Sequence, residues 1–252
     1  MAWVIDLDGV IWLADSPIPG SAEAISRLRQ LGQRPVFLTN NSSSTVGEYL
    51  AKLEAHGIAC GAEDLVTSAQ AAATLLEPGD TALVCAGPGV DEALVERGVK
   101  TIRTGPADAV VVGWHRDFDF DRLVAATDAV RGGARLIGTN EDATYPTADG
   151  GLLPGGGAIL AAVATASGAT PVVAGKPYQP VADLLARSVD NVDLVVGDRP
   201  STDGRLAQRL GTRFALVLTG VIPSGHGAVD PAADVEAADL AALVDKELGR
   251  DR

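Results

Sequence analysis

Ala2-Trp3-Val4-Ile5-Asp6-Leu7-Asp8-Gly9 is the stretch that decides the fold. An unbroken apolar run of this length reads as a strand covered on both faces, the pattern of a buried parallel sheet. The run ends in two carboxylates, Asp6 and Asp8, and in a glycine that lets the backbone turn away. Ligands of an open parallel sheet bind outside the carboxyl ends of its strands. Asp6 and Asp8 therefore mark a candidate site.

Three later apolar strands end in polar residues of the same kind. Arg34–Thr39 runs into Thr39-Asn40-Asn41-Ser42, Pro171–Gly175 into Lys176-Pro177, and Asp193–Asp198 into Asp198-Arg199, with Asp203 close behind. Further strands are expected at 81–86, 108–113, 136–139 and 214–219. Amphipathic helices are expected at 21–31, 44–56, 68–76, 90–97, 120–131, 157–167, 180–188, 203–210 and 237–248. Strands alternating with helices mean an α/β protein, and roughly eight or nine strands suggest two sheets. Turn clusters at Glu77–Asp80 and Gly168–Pro171 are the softest boundaries. They divide the chain into a discontinuous domain, 1–78 with 171–252, and an insertion, 79–170.

Composition narrows the partners. The 252 residues are 46% hydrophobic, enough for one large domain or two modest ones. Aromatics are only 4%, so the core is built of Ala, Val, Leu and Ile. Twenty basic against 33 acidic residues give a net charge of −13. That surface repels a polyphosphate backbone, and no basic cluster offsets it, so nucleic acid is not an expected partner. No apolar run is long enough for a membrane span, and no basic, apolar leader opens the chain, so a cytoplasmic location is expected. Cys60 and Cys85 lack disulfide or metal spacing and are expected as buried free thiols. His56, His115 and His226 have no metal partner at useful spacing, which argues against zinc. His115 is expected on a surface loop. Gly87-Pro88-Gly89 lacks the third glycine of a dinucleotide loop, because position 92 is Glu.

The four strand ends suit a cation and a phosphate together. Asp6, Asp8 and Asp198 gathered at one edge repel one another unless a hard cation sits among them, and Mg²⁺ prefers such oxygen donors. Lys176 supplies a point charge for a phosphoryl group. Thr39 and the amides of residues 40–41 supply hydrogen bonds at an expected helix start.

DLDGV at 6–10, TNNSS at 39–43, GKP at 175–177 and GDRPSTD at 197–203 resemble the four motifs of the haloacid dehalogenase (HAD) superfamily. The resemblance is closest to the type IIA branch, the p-nitrophenyl phosphatase and phosphoglycolate or glycerol-phosphate phosphatase group. Pro19-Gly20, GTNED at 138–142 and PGGG at 154–157 fit as well. The resemblance implies a Rossmann-like core with an α/β cap inserted between the second and third motifs. It implies a Mg²⁺-dependent phosphatase acting on small phosphate monoesters. Asp6 would be the nucleophile that forms an aspartyl-phosphate, and Asp8 the general acid and then base. Thr39, Asn40 and Lys176 would hold the phosphoryl group. The metal would lie at Asp6, Asp8 (through its carbonyl) and Asp198, with Asp203 behind them. Asp8 also separates this chain from the carbon–halogen hydrolases, which resemble it at the first aspartate and lack the second.

Asn140, Asp142 and Tyr145 fall where the family carries its substrate-specificity loop. Two acidic groups near the pocket mouth disfavour very acidic leaving groups and favour a small polyol phosphate such as glycerol phosphate. His115 stands where the family often has Asp. Family members often dimerise through the cap, which implies a homodimer. Two other readings stay open: a non-catalytic phosphate-ligand binding or regulatory protein of the same fold, and a phosphotransferase (mutase).

Overall fold

The computed structural model describes residues 1–147, 151–222 and 224–249. Two parallel sheets organise it. The first has six strands in the order Val235–Ala237, Arg213–Val217, Val192–Gly197, Ala2–Asp6, Arg34–Thr39, Leu65–Thr67. Every neighbouring pair is parallel. The chain starts in the middle at Ala2–Asp6, builds outward through 34–39 and 65–67, and later builds the other way through 192–197. The order therefore reverses beside Ala2–Asp6, and such a switch point leaves a crevice at the strand ends.

The second sheet, also parallel, has five strands in the order Val172–Val173, Arg135–Gly138, Ala109–Val112, Thr81–Cys85, Lys100–Ile102. The strand expected over Pro171–Gly175 is therefore only two residues long and pairs with Arg135–Gly138, in the second sheet rather than the first. Lys176 reaches the site from the end of that sheet.

Burial explains why the long strands were readable. Val4, Ile5, Val36, Phe37, Leu38, Val195, Val196 and Leu216 are all within 1% of full burial. One apolar cluster runs from the first sheet (Val4, Val36, Leu38) through the alanines of helix Ser68–Ala73 to the second sheet (Ala82, Val84, Val111, Ile137). The two sheets thus share a continuous core. Close-packed interiors resist deformation, so residues from both sheets can be held in one site.

Several local expectations are corrected. Thr39-Asn40-Asn41 does not open a helix. The helix begins at Val46, where Thr45 and Glu48 form a reciprocal capping box. His115 is buried, its Nδ1 against the Gly113 carbonyl at 3.0 Å and its ring edge-on to Phe118. Both cysteines are free, but only Cys85 is buried, Cys60 being half-buried. Among the described residues, no helix is long and apolar enough to cross a membrane.

Candidate active site

Asp6 ends the central strand, Thr39 its neighbour on one side, and Asp198 follows the strand on the other side. These three positions sit around the crevice. Lys176 enters it from the second sheet and is 3% exposed. Its ammonium lies 2.7 Å from Asp6 Oδ1 and 2.7 Å from Asp203 Oδ1. The second oxygen of Asp203 accepts the Arg199 N–H at 3.2 Å. Asp198 Oδ2 accepts the Val221 N–H at 2.7 Å. Carboxylate oxygens of Asp6, Asp198 and Asp203 all lie within 4.8 Å of one another.

Such a gathering raises carboxylate pKa values. Burial, reinforced by Asp203 and Asp198, holds Asp6 well above the usual range despite the pull of Lys176. Burial and then Asp203 push Asp198 up to about 6. Burial opposes the Lys176 charge, yet Asp203 and Asp6 outweigh it and lift Lys176 above the ordinary lysine range. Fully ionised, the three carboxylates against one ammonium are two charges from neutrality, which is why their burial raises the pKa values of Asp6 and Asp198. A divalent cation supplies that charge, and an all-oxygen donor set suits Mg²⁺. The residues fit the ion the sequence implied.

Asp8 stands apart from the three. Its carboxylate accepts the Trp12 indole N–H at 3.1 Å, and burial raises its pKa. Thr39 is buried and lines the cavity, its Oγ1 accepting the Asn41 N–H at 3.0 Å. The Asn40 carboxamide is turned to the main chain of Lys176: Oδ1 accepts its N–H at 2.8 Å and Nδ2 donates to its carbonyl at 3.2 Å. Its amide also donates to Asp142 Oδ2 at 3.2 Å. Asn140 donates to the Asn40 carbonyl at 2.7 Å, and its own oxygen accepts the Asp142 N–H at 3.1 Å. Asn140 and Asp142 thus join the two sheets at the site. Tyr145 lines the cavity, its ring 5.7 Å from that of Trp114.

The cavity holds about 80 Å³ open to a water-sized molecule. At about 10–15 Å³ for one water, that is room for a handful of waters or a small phosphoryl compound. Asp6, Asp8, Thr39, Lys176 and Asp198 form its polar floor, and Leu13, Trp114 and Tyr145 an apolar wall. Sequence reasoning missed Leu13, Trp114 and Arg199. Arg199 lies 3.5 Å from Asp142 at the cavity edge, and its place directly after Asp198 was the available signal. Nothing local to Leu13 or Trp114 announced a ligand wall.

Comparison with known proteins agrees with this geometry. Residues 3–100 match a family model described as haloacid dehalogenase-like hydrolase, and residues 173–243 a HAD-hydrolase-like model. The chain is 38% identical over 225 residues to the D-glycerol 3-phosphate phosphatase of Mycobacterium tuberculosis, covering 86% of this chain and 63% of that protein. It is 36% identical over 211 residues to the acid sugar phosphatase of Staphylococcus saprophyticus, covering 80% of each. The crystal structure of the Mycobacterium tuberculosis glycerol phosphate phosphatase in complex with magnesium superposes with a TM-score of 0.86 at 35% identity, covering 96% of this chain and 75% of that one.

Proposed function

The chain belongs to the haloacid dehalogenase-like hydrolases, in the type IIA branch, and on that footing we propose that it is a Mg²⁺-dependent phosphatase of small phosphate monoesters. One observation carries the proposal. Carboxylate oxygens of Asp6, Asp198 and Asp203 lie within 4.8 Å of one another, buried Lys176 bridges Asp6 and Asp203, and Asp6, Asp198 and Lys176 line a cavity of about 80 Å³. A relative named for D-glycerol 3-phosphate and another named for acid sugars support a polyol or sugar phosphate as substrate.

In this reading Asp6 attacks phosphorus and takes the phosphoryl group as an aspartyl-phosphate. Asp8 protonates the departing oxygen, then takes a proton from the water that hydrolyses the intermediate. Lys176 neutralises charge on the transferring group, Thr39 offers its hydroxyl, and Asn40 fixes Lys176 through its main chain. Asp6, the Asp8 carbonyl and Asp198 would hold the metal, with Asp203 behind them and bound to Lys176. When bound, Mg²⁺ offsets the negative charge of nucleophile and phosphate. Residues 1–78 and 174–252 would form the catalytic core and 79–173 the cap, since strand Val172–Val173 pairs into the second sheet beyond the expected boundary at 170, with Asn140, Asp142 and Tyr145 lining the cavity on the cap side. Two free cysteines are in keeping with a reducing cytoplasm, and a homodimer completes the proposal.

Phosphate release from p-nitrophenyl phosphate, glycerol phosphate and sugar phosphates, with Mg²⁺ and with EDTA, tests the reading. Turnover that requires Mg²⁺ and falls roughly 10³-fold or more in Asp6→Asn is the expected result. Folded protein that binds phosphate esters without turning any over would sink it in favour of a binding protein.

A further inference from the structure

The Asp8 carboxylate is held from behind. The Trp12 indole donates Nε1–H to Asp8 Oδ1 at 3.1 Å. It reaches back because the loop after the first strand closes on itself: the Ile11 and Trp12 N–H groups donate to the Leu7 carbonyl at 2.9 and 3.2 Å, and the Gly9 N–H to the Trp12 carbonyl at 2.7 Å. The indole is 1% exposed, so it has no freedom to leave.

A second residue braces it. The chain leaves Trp12 through a hairpin pairing Trp12 with Pro17 and Leu13 with Ser16. Its turn contains Ala14 at φ +53°, the one non-glycine in the left-handed region among the described residues. An L-alanine there is strained and needs outside support. Lys52, from helix Val46–Ala55, provides it. Its ammonium donates to the Ala14 carbonyl at 2.7 Å and to Asp15 at 3.2 Å, and lies 4.4 Å from the centre of the Trp12 ring. One cation pins the turn and caps the indole face.

We propose that Trp12, braced by Lys52, is a positioning residue that aims Asp8 at the departing oxygen and decides which of its two oxygens carries the proton. The inference rests on the reading of Asp8 as the acid–base group. An indole N–H can only donate, and the carbonyl oxygen of a carboxylic acid is a better acceptor than its hydroxyl, so Oδ1 is favoured as the carbonyl and Oδ2 as the oxygen that carries the exchangeable proton. In the first step an Asp6 oxygen bonds to phosphorus and the bond from phosphorus to the ester oxygen breaks. The electron pair of that bond stays on the ester oxygen, which takes the proton from Asp8 Oδ2 and leaves as the alcohol. In the second step a water oxygen bonds to phosphorus, the Asp6 oxygen is released, and the water's proton returns to Asp8 Oδ2. Without the indole the carboxyl can rotate and present the wrong oxygen.

Dependence on the leaving group separates this role from a structural one. The kcat/KM value reports the steps through the first bond cleavage, where a basic alkoxide needs a proton and p-nitrophenolate scarcely does. Trp12→Phe keeps the packing and removes the donor. We expect its kcat/KM to fall about 30-fold for glycerol phosphate and about threefold for p-nitrophenyl phosphate, with aryl esters of intermediate basicity between, a fraction of the 10²–10⁴ typical of general acid catalysis. Lys52→Met should give the same gradient at smaller amplitude, although it also removes a charge that lowers the Asp8 pKa, so Trp12→Leu, which likewise lacks the donor, carries the test if the Phe variant does not fold. An equal loss across the series, or no loss, overturns the proposal. Asp8→Asn keeps the two readings distinct. A gradient there with a flat Trp12→Phe profile removes only the role of Trp12, whereas a flat Asp8→Asn profile removes Asp8 as the acid and the proposal with it.

Discussion

The side chain of Asn40 grips the main chain of Lys176 at two points, accepting its N–H at 2.8 Å and donating to its carbonyl at 3.2 Å across 136 positions of sequence. The clamp ties the end of a first-sheet strand to the residue entering from the second sheet. Asn40→Ala leaves two main-chain groups unpaired in a buried site, which costs about 1–3 kcal/mol in denaturant unfolding. It also lets the ammonium drift from Asp6, and a displacement of that kind lowers kcat by up to about 10²-fold. Wild-type stability in the variant would mean that the clamp does not hold Lys176.

The metal-free carboxylate cluster makes the protein less stable as pH rises. Asp198 titrates near 6 in the fold, against 3.8 for an ordinary aspartate, chiefly through burial and then through Asp203. Between those values the folded state holds more protons than the unfolded chain, so stability is greatest below the lower value and falls as pH rises through the folded one. Mg²⁺ reverses this by neutralising the ionised group. In thermal melts the rise in Tm on adding Mg²⁺ should be several degrees at pH 7.5 and near zero at pH 4.5. Asp198→Asn should raise the Tm of the metal-free protein while abolishing activity, a trade of function for stability. Equal Mg²⁺ stabilisation at both pH values would contradict the cluster as its site.

The long strands were legible because each is buried on both faces and ends in a polar break, as at Asp6, Thr39 and Asp198. Their helices were legible from apolar period and stop glycines. Short pairings carry no such signal. Val172–Val173 looks like any apolar pair, and only its hydrogen bonds to Arg135–Gly138 reveal which sheet it joins. The meeting of Lys176 with Asp6 could be anticipated from the place of each directly after an apolar strand, although the strand before Lys176 joins the second sheet. The turn of Asn40 toward Lys176 could not, since it depends on how the two sheets pack. His115 misled because a polar residue after a strand usually faces solvent, whereas this one is turned inward on Gly113 and Phe118.

Tyr145 and Trp114 are aromatic lining of the cavity, with ring centres 5.7 Å apart and the Trp114 indole donating to the Pro154 carbonyl at 3.0 Å. The indole is thereby fixed and the phenol ring rests on it. In the proposed reading this wall contacts the leaving group rather than the phosphoryl group. Tyr145→Ala should therefore reorder a panel of phosphate esters by about tenfold in relative kcat/KM, the order expected for lost apolar contact in a pocket. Mg²⁺ activation should be unaffected. An unchanged ranking would place substrate selection elsewhere.

Gly220 tests the metal site without altering any reactive group. A Cβ built there lies 1.9 Å from Asp198 Oδ2, and one at Gly9 (φ +85°) lies 2.7 Å from the same carboxylate. Both separations are shorter than real Cβ contacts, so the two glycines let backbone close around Asp198 while Val221 N–H holds its Oδ2 at 2.7 Å. In Gly220→Ala either the loop or the carboxylate must move. If Asp198 holds the metal as proposed, either movement disturbs that ligand and its supporting hydrogen bond, and losses at such supports run to about 10–100-fold in metal affinity. The Mg²⁺ concentration for half-maximal activity should rise by about that factor, with much of the rate restored at saturating metal. Gly227→Ala is the control, because a Cβ there meets nothing within 4 Å. A wild-type Mg²⁺ requirement in Gly220→Ala would mean that Asp198 does not bind the metal in the position the fold gives it.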